Sequence, residues 1–294
     1  MTRETPHALF VPVTVGILGY SWSPHFTRPT IRPNAIRVNT FHHIFFKIDA
    51  AARTCLSEMR TSARIGAMKK YSFLLFDADN TLLDFDENER VSLSKAFRQF
   101  GIPCDDKTIA LYHDINLMYW EMLAENRIGK EELLTKRFET LFERIGVKAD
   151  PVQTENYYRA RLGEGFQTVP GAMEVCRKLK EDYKLYVITN GVTKTQQSRL
   201  RGSGFWILMD GIFISDEIGY DKPDVRFFEY VRDHIEGFEK DRALVIGDSL
   251  FSDIRGGVDF GLNTCYLNAY HKPNTSKIRP TYEIQDIIEL LTIL

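Results

Sequence analysis

The sequence predicts an α/β protein built on a doubly wound parallel sheet, with an all-α domain inserted after the first strand. Short, nearly continuous apolar runs recur from residue 71 onward, and amphipathic segments separate them. Such runs are typical of parallel strands that are buried on both faces. They are YSFLLF (71–76), KLYVIT (184–189), GIFIS (211–215), ALVIG (243–247) and NTCYLN (263–268).

The interval between the first and second runs shows helical periodicity and no strand pattern. Apolar residues recur there three and four positions apart, as they do on one face of a helix. The helical positions are Leu93, Ala96, Phe97 and Phe100; Tyr112, Ile115, Tyr119, Met122 and Leu123; Leu134, Phe138, Leu141, Phe142 and Ile145; and, for a fourth helix, residues 155–162. We therefore expect a helical cap over 85–167, an α/β core formed by 68–84 and 168–294, and hinges near 84–87 and 163–170.

The composition of the chain excludes several classes of function. The 294 residues are 44% hydrophobic and 27% charged, which is ordinary for a globular protein, and the net charge is −2. Such a chain has no positive field for general nucleic-acid binding, and no stretch approaches the roughly 18 apolar residues of a membrane span. We expect neither a nucleic-acid nor a membrane partner. Four cysteines without CxxC spacing predict neither a zinc site nor a disulfide framework, and they favour a reducing, cytoplasmic location; they are Cys55, Cys104, Cys176 and Cys265.

Residues 1–67 differ in composition from the rest of the chain. They carry seven arginines and one lysine against three acidic residues, a balance of 8 − 3 = +5, and five of the eleven prolines. Their apolar residues keep neither helical nor strand periodicity for long. Three explanations remain open: a targeting peptide, a basic arm for an anionic partner, or sequence upstream of a true start at Met68. We expect this N-terminal extension not to be part of the fold.

Polar residues follow the apolar runs at the positions where an open α/β sheet binds its ligands, beyond the carboxyl ends of the strands. They are Asp77 and Asp79 at the first run, Thr189, Asn190 and Gly191 at the second, Lys222 beyond the third, and Asp248 and Asp253 beyond the fourth. Carboxylates suit Mg²⁺, which takes about six oxygen ligands and readily keeps waters and a phosphate oxygen. An ammonium, a hydroxyl and backbone amides at a helix start suit a phosphate.

Each of these residues also has a purely structural explanation. An Asp-x-Asp sequence after a strand is commonly a solvated turn, and Thr189 is an ordinary helix N-cap residue. Lys222 fits an exposed loop, and Asp253 fits the first turn of a helix. Their order at consecutive strand ends favours a single phosphoryl-transfer site instead, because the four kinds of group that such a site needs appear together.

The motifs DADNT, ITNG, DKPD and GDSLFSD, in that order, resemble the four motifs of the haloacid dehalogenase superfamily, which has a Rossmann-like core. The helical insert after the first motif is similar to the small α-helical cap of that superfamily. The fuller segments LLFDADNTLLDFD, ITNGVTKTQQSRL, GIFISDEIGYDKPD and CYLNAYHKP are similar to bacterial pyrimidine 5′-nucleotidases of the non-standard-nucleotide type. The resemblance runs from about residue 69 to the C-terminus.

The resemblance implies a Mg²⁺-dependent phosphomonoesterase. Asp77 would be the nucleophile that forms an aspartyl-phosphate, and Asp79 would protonate the leaving oxygen and later deprotonate the attacking water. Dehalogenases, which attack carbon, lack an acid at the position of Asp79. The implied metal ligands are Asp77, the backbone carbonyl of Asp79, and Asp248.

The remaining site residues would bind the phosphate or support the residues that do. Thr189, Asn190, Gly191 and Lys222 would hold the phosphate, and Asp253 would orient Lys222 or a metal-bound water. The implied partner is a small-molecule phosphomonoester, foremost a pyrimidine nucleoside 5′-monophosphate. One or two aromatic residues of the cap would form a wall for the base; the candidates are Tyr119, Trp120, Phe138, Tyr157, Tyr158 and Phe166.

Other functions remain compatible with these residues. A sugar-phosphate phosphatase or a phosphomutase of the same fold would use the same strand-end groups. A catalytically silent protein that binds metal and phosphate is a further alternative. The sequence leaves the oligomeric state open.

Overall fold

The computed structural model describes residues 69–294, so the expectations for residues 1–67 lie outside the described part of the chain. Six parallel strands form one sheet in the order β3-β2-β1-β4-β5-β6. The strands are β1 (Phe73–Phe76), β2 (Lys184–Thr189), β3 (Gly211–Ile214), β4 (Ala243–Gly247), β5 (Asn263–Leu267) and β6 (Tyr282–Ile284). The predicted α/β fold with a parallel sheet is confirmed, and each of the five apolar runs contains one strand.

Both faces of the sheet are buried, which explains why the strands appear in the sequence as continuous apolar runs. Successive side chains of a strand point to opposite faces. In β1, Leu74 and Phe76 pack in an apolar cluster on one face, and Phe73 and Leu75 pack in a second cluster on the other. A strand between two apolar layers needs an apolar side chain at every position.

Helices cover the sheet and form a separate bundle after β1. They are α1 (Phe85–Phe100), α2 (Asp106–Ala124), α3 (Lys130–Ile145), α4 (Pro151–Leu162), α5 (Ala172–Leu179), α6 (Thr193–Ser203), α7 (Ser215–Ile218), α8 (Val225–Asp233), α9 (Arg255–Phe260) and α10 (Leu290–Ile293). Short 3₁₀ turns lie at Phe205–Ile207, Lys240–Arg242 and Ile287–Glu289, and a π-helical turn lies at Leu250–Ile254. Within residues 69–294 no helix has the length and apolar character that a membrane crossing requires.

The sixth strand is absent from the sequence prediction. It has three residues, it lies at the sheet edge beside β5, and its central residue is Glu283. An edge strand of this length contributes neither an apolar run nor a clear alternation. Its assignment depends on pairing with Cys265–Leu267, which only the folded chain provides.

Helices α1–α4 pack around an apolar cluster of their own. Tyr112, Phe138 and Tyr158 are fully buried at its centre. The ring centroids of Tyr112 and Phe138 lie 4.9 Å apart, and those of Phe138 and Tyr158 lie 5.6 Å apart. Gly101 and Gly146 end α1 and α3 with φ of 65° and 68°, a left-handed conformation that glycine adopts without steric cost.

Two antiparallel chain segments connect the helical bundle to the sheet. The amide of Asp84 donates to the carbonyl of Gln167 at 3.0 Å, and the amide of Val169 donates to the carbonyl of Leu82 at 3.0 Å. These two hydrogen bonds place the exit from β1 beside the return into α5. The bundle therefore leaves and re-enters the core at a single place.

A further contact between bundle and core involves Lys130, the first residue of α3. Its Nζ lies 2.5 Å from Asp221 Oδ1 and donates to Ser215 Oγ at 2.7 Å. The Lys130 side chain is 11% exposed. Because Asp221 directly precedes Lys222, this ion pair links the bundle to the loop that carries the candidate site lysine.

Candidate active site

Adjacent strand ends bring the predicted site residues to one edge of the sheet. β1 lies between β2 and β4, and Phe76 is in register with a residue of each. Asp77 follows Phe76 directly, while Thr189 and Asp248 lie two residues beyond its partners. Because parallel strands end at the same edge, the three side chains emerge close together.

Lys222 lies at the centre of this group. Its Nζ donates to Asp77 Oδ1 at 2.7 Å, to Asp253 Oδ1 at 2.6 Å and to the carbonyl of Ile188 at 2.8 Å. Burial alone would lower the pKa of Lys222, but Asp253 and Asp77 raise it above the ordinary value. The ammonium is therefore charged, and all three of its N–H donors are engaged. Contact with a phosphate requires Lys222 to share or exchange one of these bonds.

Three carboxylates cluster around this ammonium. Asp77, Asp248 and Asp253 each place an oxygen within 4.8 Å of the others. Burial raises the pKa of Asp77 to about 8; Lys222 opposes the shift, and Asp253 and Asp79 add to it. Burial and the charges of Asp77 and Asp253 raise the pKa of Asp248 well above its usual range. One ammonium does not balance three carboxylates, so the cluster favours an additional cation.

The donor set of this cluster fits Mg²⁺, which prefers hard oxygen ligands. Asp253 already accepts hydrogen bonds from Lys222 and, at 3.1 Å, from the amide of Ser249. Asp248 has no hydrogen-bond partner among residues 69–294, and Asp77 uses one oxygen for Lys222. Asp77 and Asp248 are therefore the side chains with oxygens available for a cation. The assignment of the Asp79 carbonyl as a further ligand stays a prediction.

The loop after β2 lies beside Lys222. Thr189 Oγ1 accepts from Gln196 Nε2 at 2.7 Å and from the amide of Gly191 at 3.2 Å, so its own hydroxyl proton can be donated to a phosphate oxygen. The Asn190 side chain forms two hydrogen bonds of 2.8 Å with the backbone of Lys222. Asn190 thus holds the loop that carries Lys222, a role that the sequence did not reveal.

Asp79 is held by two residues of α6 that sequence reasoning missed. Gln196 Nε2 donates to Asp79 Oδ2 at 2.9 Å, and Arg199 Nη1 donates to Asp79 Oδ1. Arg199 is 1% exposed. A signal was present in the sequence, since a spacing of three residues places Gln196 and Arg199 on one helix face. Two long polar side chains on the inward face of a short helix indicate a polar partner at the sheet edge.

A cleft of about 380 Å³ separates this sheet edge from the helical bundle. On the sheet side it is lined by Asp77, Asp79, Thr189, Lys222 and Asp248; on the other sides its lining includes Phe85, Leu117, Trp120, Phe251, Lys272 and Ser276. Among the aromatic residues considered for a base-binding wall, Trp120 lines the cleft, whereas Phe138 and Tyr158 are buried inside the bundle. The cleft thus joins a charged end to an apolar end.

Comparison with protein families identifies the family of this chain. The family model described as haloacid dehalogenase-like hydrolase matches residues 71–261. The chain belongs to this family. The matched range contains every predicted site residue, from Asp77 to Asp253, and the helical insert between the first and second strands. The superfamily and the hydrolase class that the motifs predict are confirmed.

Relatives of this haloacid dehalogenase-like hydrolase match almost over their full lengths. The HAD-hydrolase YfnB of Bacillus subtilis is 40% identical over 77% of this chain and 97% of YfnB. Two proteins named pyrimidine 5′-nucleotidase are similar as well: PynA of Streptococcus pneumoniae is 38% identical over 76% of this chain and 95% of PynA, and YjjG of Escherichia coli is 31% identical over 76% of this chain and 98% of YjjG.

A solved structure of the YfnB protein shares the fold. That crystal structure, which is bound to magnesium and reveals interdomain movement in YfnB, has a TM-score of 0.74 with this chain. The match covers 77% of this chain and 99% of that chain at 40% identity. The YfnB structure therefore shares the fold of the described residues.

Proposed function

We propose that this chain is a Mg²⁺-dependent phosphomonoesterase that acts through an aspartyl-phosphate, with pyrimidine nucleoside 5′-monophosphates as its preferred substrates. The observation that carries the proposal is the different environment of two neighbouring aspartates. Asp77 contacts the ammonium of Lys222 inside the carboxylate cluster, while Asp79 contacts Arg199 and Gln196 beside it. Two carboxylates in different environments suit the two roles of nucleophile and acid–base.

In the first step a carboxylate oxygen of Asp77 attacks phosphorus, and the bond between phosphorus and the leaving oxygen breaks. Asp79 gives its proton to that leaving oxygen, so the alcohol departs neutral. Thr189 and Lys222 donate hydrogen bonds to the phosphoryl oxygens as charge develops on them. In the second step Asp79 takes a proton from water, the water oxygen attacks phosphorus, and the bond to Asp77 breaks to release phosphate.

Asp77 and Asp248 are the side chains that would hold Mg²⁺, with the carbonyl of Asp79 as a third protein ligand. The bound cation would offset the repulsion between the Asp77 carboxylate and the phosphate dianion and would stabilise charge on the transferring group. Asp253 keeps Lys222 in place through the 2.6 Å contact. The excess of carboxylates over ammonium groups supports this assignment.

The preference for a pyrimidine nucleotide is supported by the walls of the cleft and by two relatives. Leu117 and Phe251, which are 42% and 40% exposed, line the cleft together with Trp120. Apolar side chains in the same cleft as a charged edge suit a flat base rather than a small polyol. PynA and YjjG, both named pyrimidine 5′-nucleotidases, are 38% and 31% identical to this chain.

The test of this proposal is release of free phosphate from a panel of esters: uridine, cytidine and purine nucleoside 5′-monophosphates, glucose 6-phosphate and glyceraldehyde 3-phosphate. We expect turnover with Mg²⁺, loss of turnover in chelator, and the highest kcat/KM for a pyrimidine nucleotide. Apolar discrimination gives only about 10 to 200-fold between substrates, so specificity is expected to be broad. A tenfold preference for a sugar phosphate over every pyrimidine nucleotide would support the sugar-phosphate phosphatase instead.

The nucleophile is tested with Asp77→Asn, which keeps the side-chain shape but cannot form an acyl-phosphate. We expect kcat to fall by about 10⁴-fold or more, as when other enzymes lose a nucleophile. Asp241→Asn is the matched control, because Asp241 is exposed and remote from the cleft lining. Turnover by Asp77→Asn near the wild-type rate would refute the assignment.

A further inference from the structure

Arg199 is buried more completely than its position on a surface-covering helix requires. It is 1% exposed and is among the largest fully buried side chains of the described residues. Burial of a guanidinium is unfavourable unless charges and hydrogen bonds compensate it. Its ion-pair partner is Asp79, which lies 120 positions away in the chain. The pair therefore joins the acid–base aspartate directly to the interior of α6.

The contacts of Asp79 are divided between its two oxygens. Arg199 Nη1 donates to Oδ1 and also to Gln196 Oε1 at 3.1 Å. Gln196 Nε2 donates to Oδ2 at 2.9 Å and to Thr189 Oγ1 at 2.7 Å. Both oxygens of Asp79 are thus held, and the Gln196 amide links Oδ2 to Thr189, whose hydroxyl is proposed to bind phosphate.

Helix packing does not explain why the other nitrogens of the guanidinium are buried. Arg199 Nε and Nη2 are buried and have no hydrogen-bond partner among residues 69–294. The Arg199 side chain lines a small cavity of about 40 Å³ between α6 and the bundle. Phe85 also lines this cavity, and its ring centroid lies 5.7 Å from the guanidinium. A purely structural arginine normally has its donors satisfied, whereas here the engaged donor is the one that contacts Asp79.

We propose that Arg199 is a positioning residue for the acid–base chemistry: it fixes the carboxyl group of Asp79 so that Oδ2 transfers its proton to the leaving oxygen. Arg199 occupies Oδ1, so Oδ2 is the oxygen that shares the Gln196 amide with Thr189, the proposed phosphate-binding residue. Gln196 connects Asp79 to Thr189, because its Nε2 donates a hydrogen bond to each of them. The inference rests on the proposed phosphatase function.

The step that Arg199 supports is breakage of the bond between phosphorus and the leaving oxygen. The Asp77 oxygen forms a bond to phosphorus, the electron pair of the breaking bond goes to the leaving oxygen, and the proton of Asp79 Oδ2 neutralises it. A nucleoside alkoxide needs this proton because it is strongly basic, whereas p-nitrophenolate departs without it. Dependence on the leaving group therefore distinguishes positioning of the acid from a general structural role.

The experiment compares kcat/KM for uridine 5′-monophosphate and p-nitrophenyl phosphate in wild type, Arg199→Met and Arg199→Lys. This constant reports steps up to transfer of the phosphoryl group to Asp77 and excludes the later hydrolysis, where Asp79 acts on both substrates alike. For Arg199→Met we expect a loss of about 10²-fold on the nucleotide and less than about fivefold on the phenyl ester, since general acid catalysis contributes 10² or more. Arg199→Lys should recover part of the nucleotide rate.

Arg201→Met is the matched control. Arg201 is an exposed arginine of the same helix that stacks on Trp206 with its guanidinium 4.0 Å from the ring centroid. We expect both esters to be cleaved at the wild-type rate. A double-mutant cycle adds a second test: with Asp79→Asn in place, Arg199→Met should change the nucleotide rate by less than about threefold, because coupled residues are not additive.

Each result supports or overturns the inference. Equal losses on both esters, or wild-type rates on both, would overturn the positioning role of Arg199. If Arg199→Met does not fold, Gln196→Met provides the same comparison, because it removes the Oδ2 contact without removing a charge; equal losses there would overturn the role as well. Absence of phosphate release from either ester by the wild type would overturn the proposed function itself, and the inference with it.

Discussion

Removal of one carboxylate from the cluster of Asp77, Asp248 and Asp253 should stabilise the protein in the absence of a divalent cation. Asp248→Asn keeps the shape of the side chain, and Asp248 has no hydrogen bond to lose among residues 69–294. Its carboxylate lies within 4.8 Å of those of Asp77 and Asp253. At an effective dielectric constant of about 20, each such pair repels by at least about 3.5 kcal/mol.

Lys222 opposes these repulsions and Asp79 adds to them, so above about pH 8, where Asp77 is charged too, we expect a net cost of at least about 3 kcal/mol. For a domain of this size that corresponds to a rise in Tm of about 6 to 12 °C for Asp248→Asn. The size of this effect depends on pH. The pKa of Asp248 is raised in the folded state, so its charge destabilises the fold increasingly as the pH rises, and this cost disappears below about pH 4, where the unfolded chain is protonated too.

The assay is thermal unfolding of wild type, Asp248→Asn and the exposed control Asp241→Asn, in chelator and in Mg²⁺. In chelator the Asp248 variant should melt at the higher temperature. Mg²⁺ at 100 times its Kd should stabilise the wild type by about 2.7 kcal/mol and the variant much less, so the gap should close. A variant that melts below wild type in chelator, or that gains as much from Mg²⁺, would refute both the charge argument and the ligand assignment.

Two further predictions concern parts of the chain outside the catalytic cluster. Lys130→Met removes the ion pair to Asp221 and should lower kcat/KM by about fivefold, because a partly buried pair contributes about 1 kcal/mol and its loss favours opening of the bundle away from the cleft. The control is Lys136→Met, which changes an exposed lysine of the same helix. An unchanged kcat/KM for Lys130→Met would contradict a role of this ion pair in holding the bundle over the cleft. A chain that begins at Met68 should fold and turn over like the full-length chain, since the site contacts described here arise within residues 69–294; loss of turnover on trimming would show that residues 1–67 belong to the working enzyme.

Local sequence patterns were sufficient for five of the six strands of the described sheet and for the polar residues that meet at its edge. The run YSFLLF followed by Asp77 and Asp79 identifies a buried strand with carboxylates at its end, because apolar continuity and the change to polar residues are both encoded over a few positions. The same is true of ALVIG followed by Asp248. Parallel strands share one carboxyl edge, so the order of motifs along the chain was enough to predict that these groups meet.

Side-chain pairing across long stretches of chain was decided only by the tertiary structure. The contact of Arg199 with Asp79 spans 120 positions, and the clamp of Asn190 on the backbone of Lys222 spans 32. Such contacts depend on how α6 and the loop after β3 lie against the sheet edge. Periodicity assigns a residue to a helix face, but it does not say which distant group that face meets.

In the helical bundle, too, the sequence predicts the helices, but only the tertiary structure decides which side chains reach the cleft. Its helices follow from the spacing of apolar residues, yet the spacing does not separate Trp120, which lines the cleft, from Phe138 and Tyr158, which fill the bundle interior. All three are aromatic residues on amphipathic helices, and each is compatible with either position. The choice is made by the packing of four helices against one another and by the direction in which the bundle faces the sheet, because these set which side chains remain in contact with the cleft.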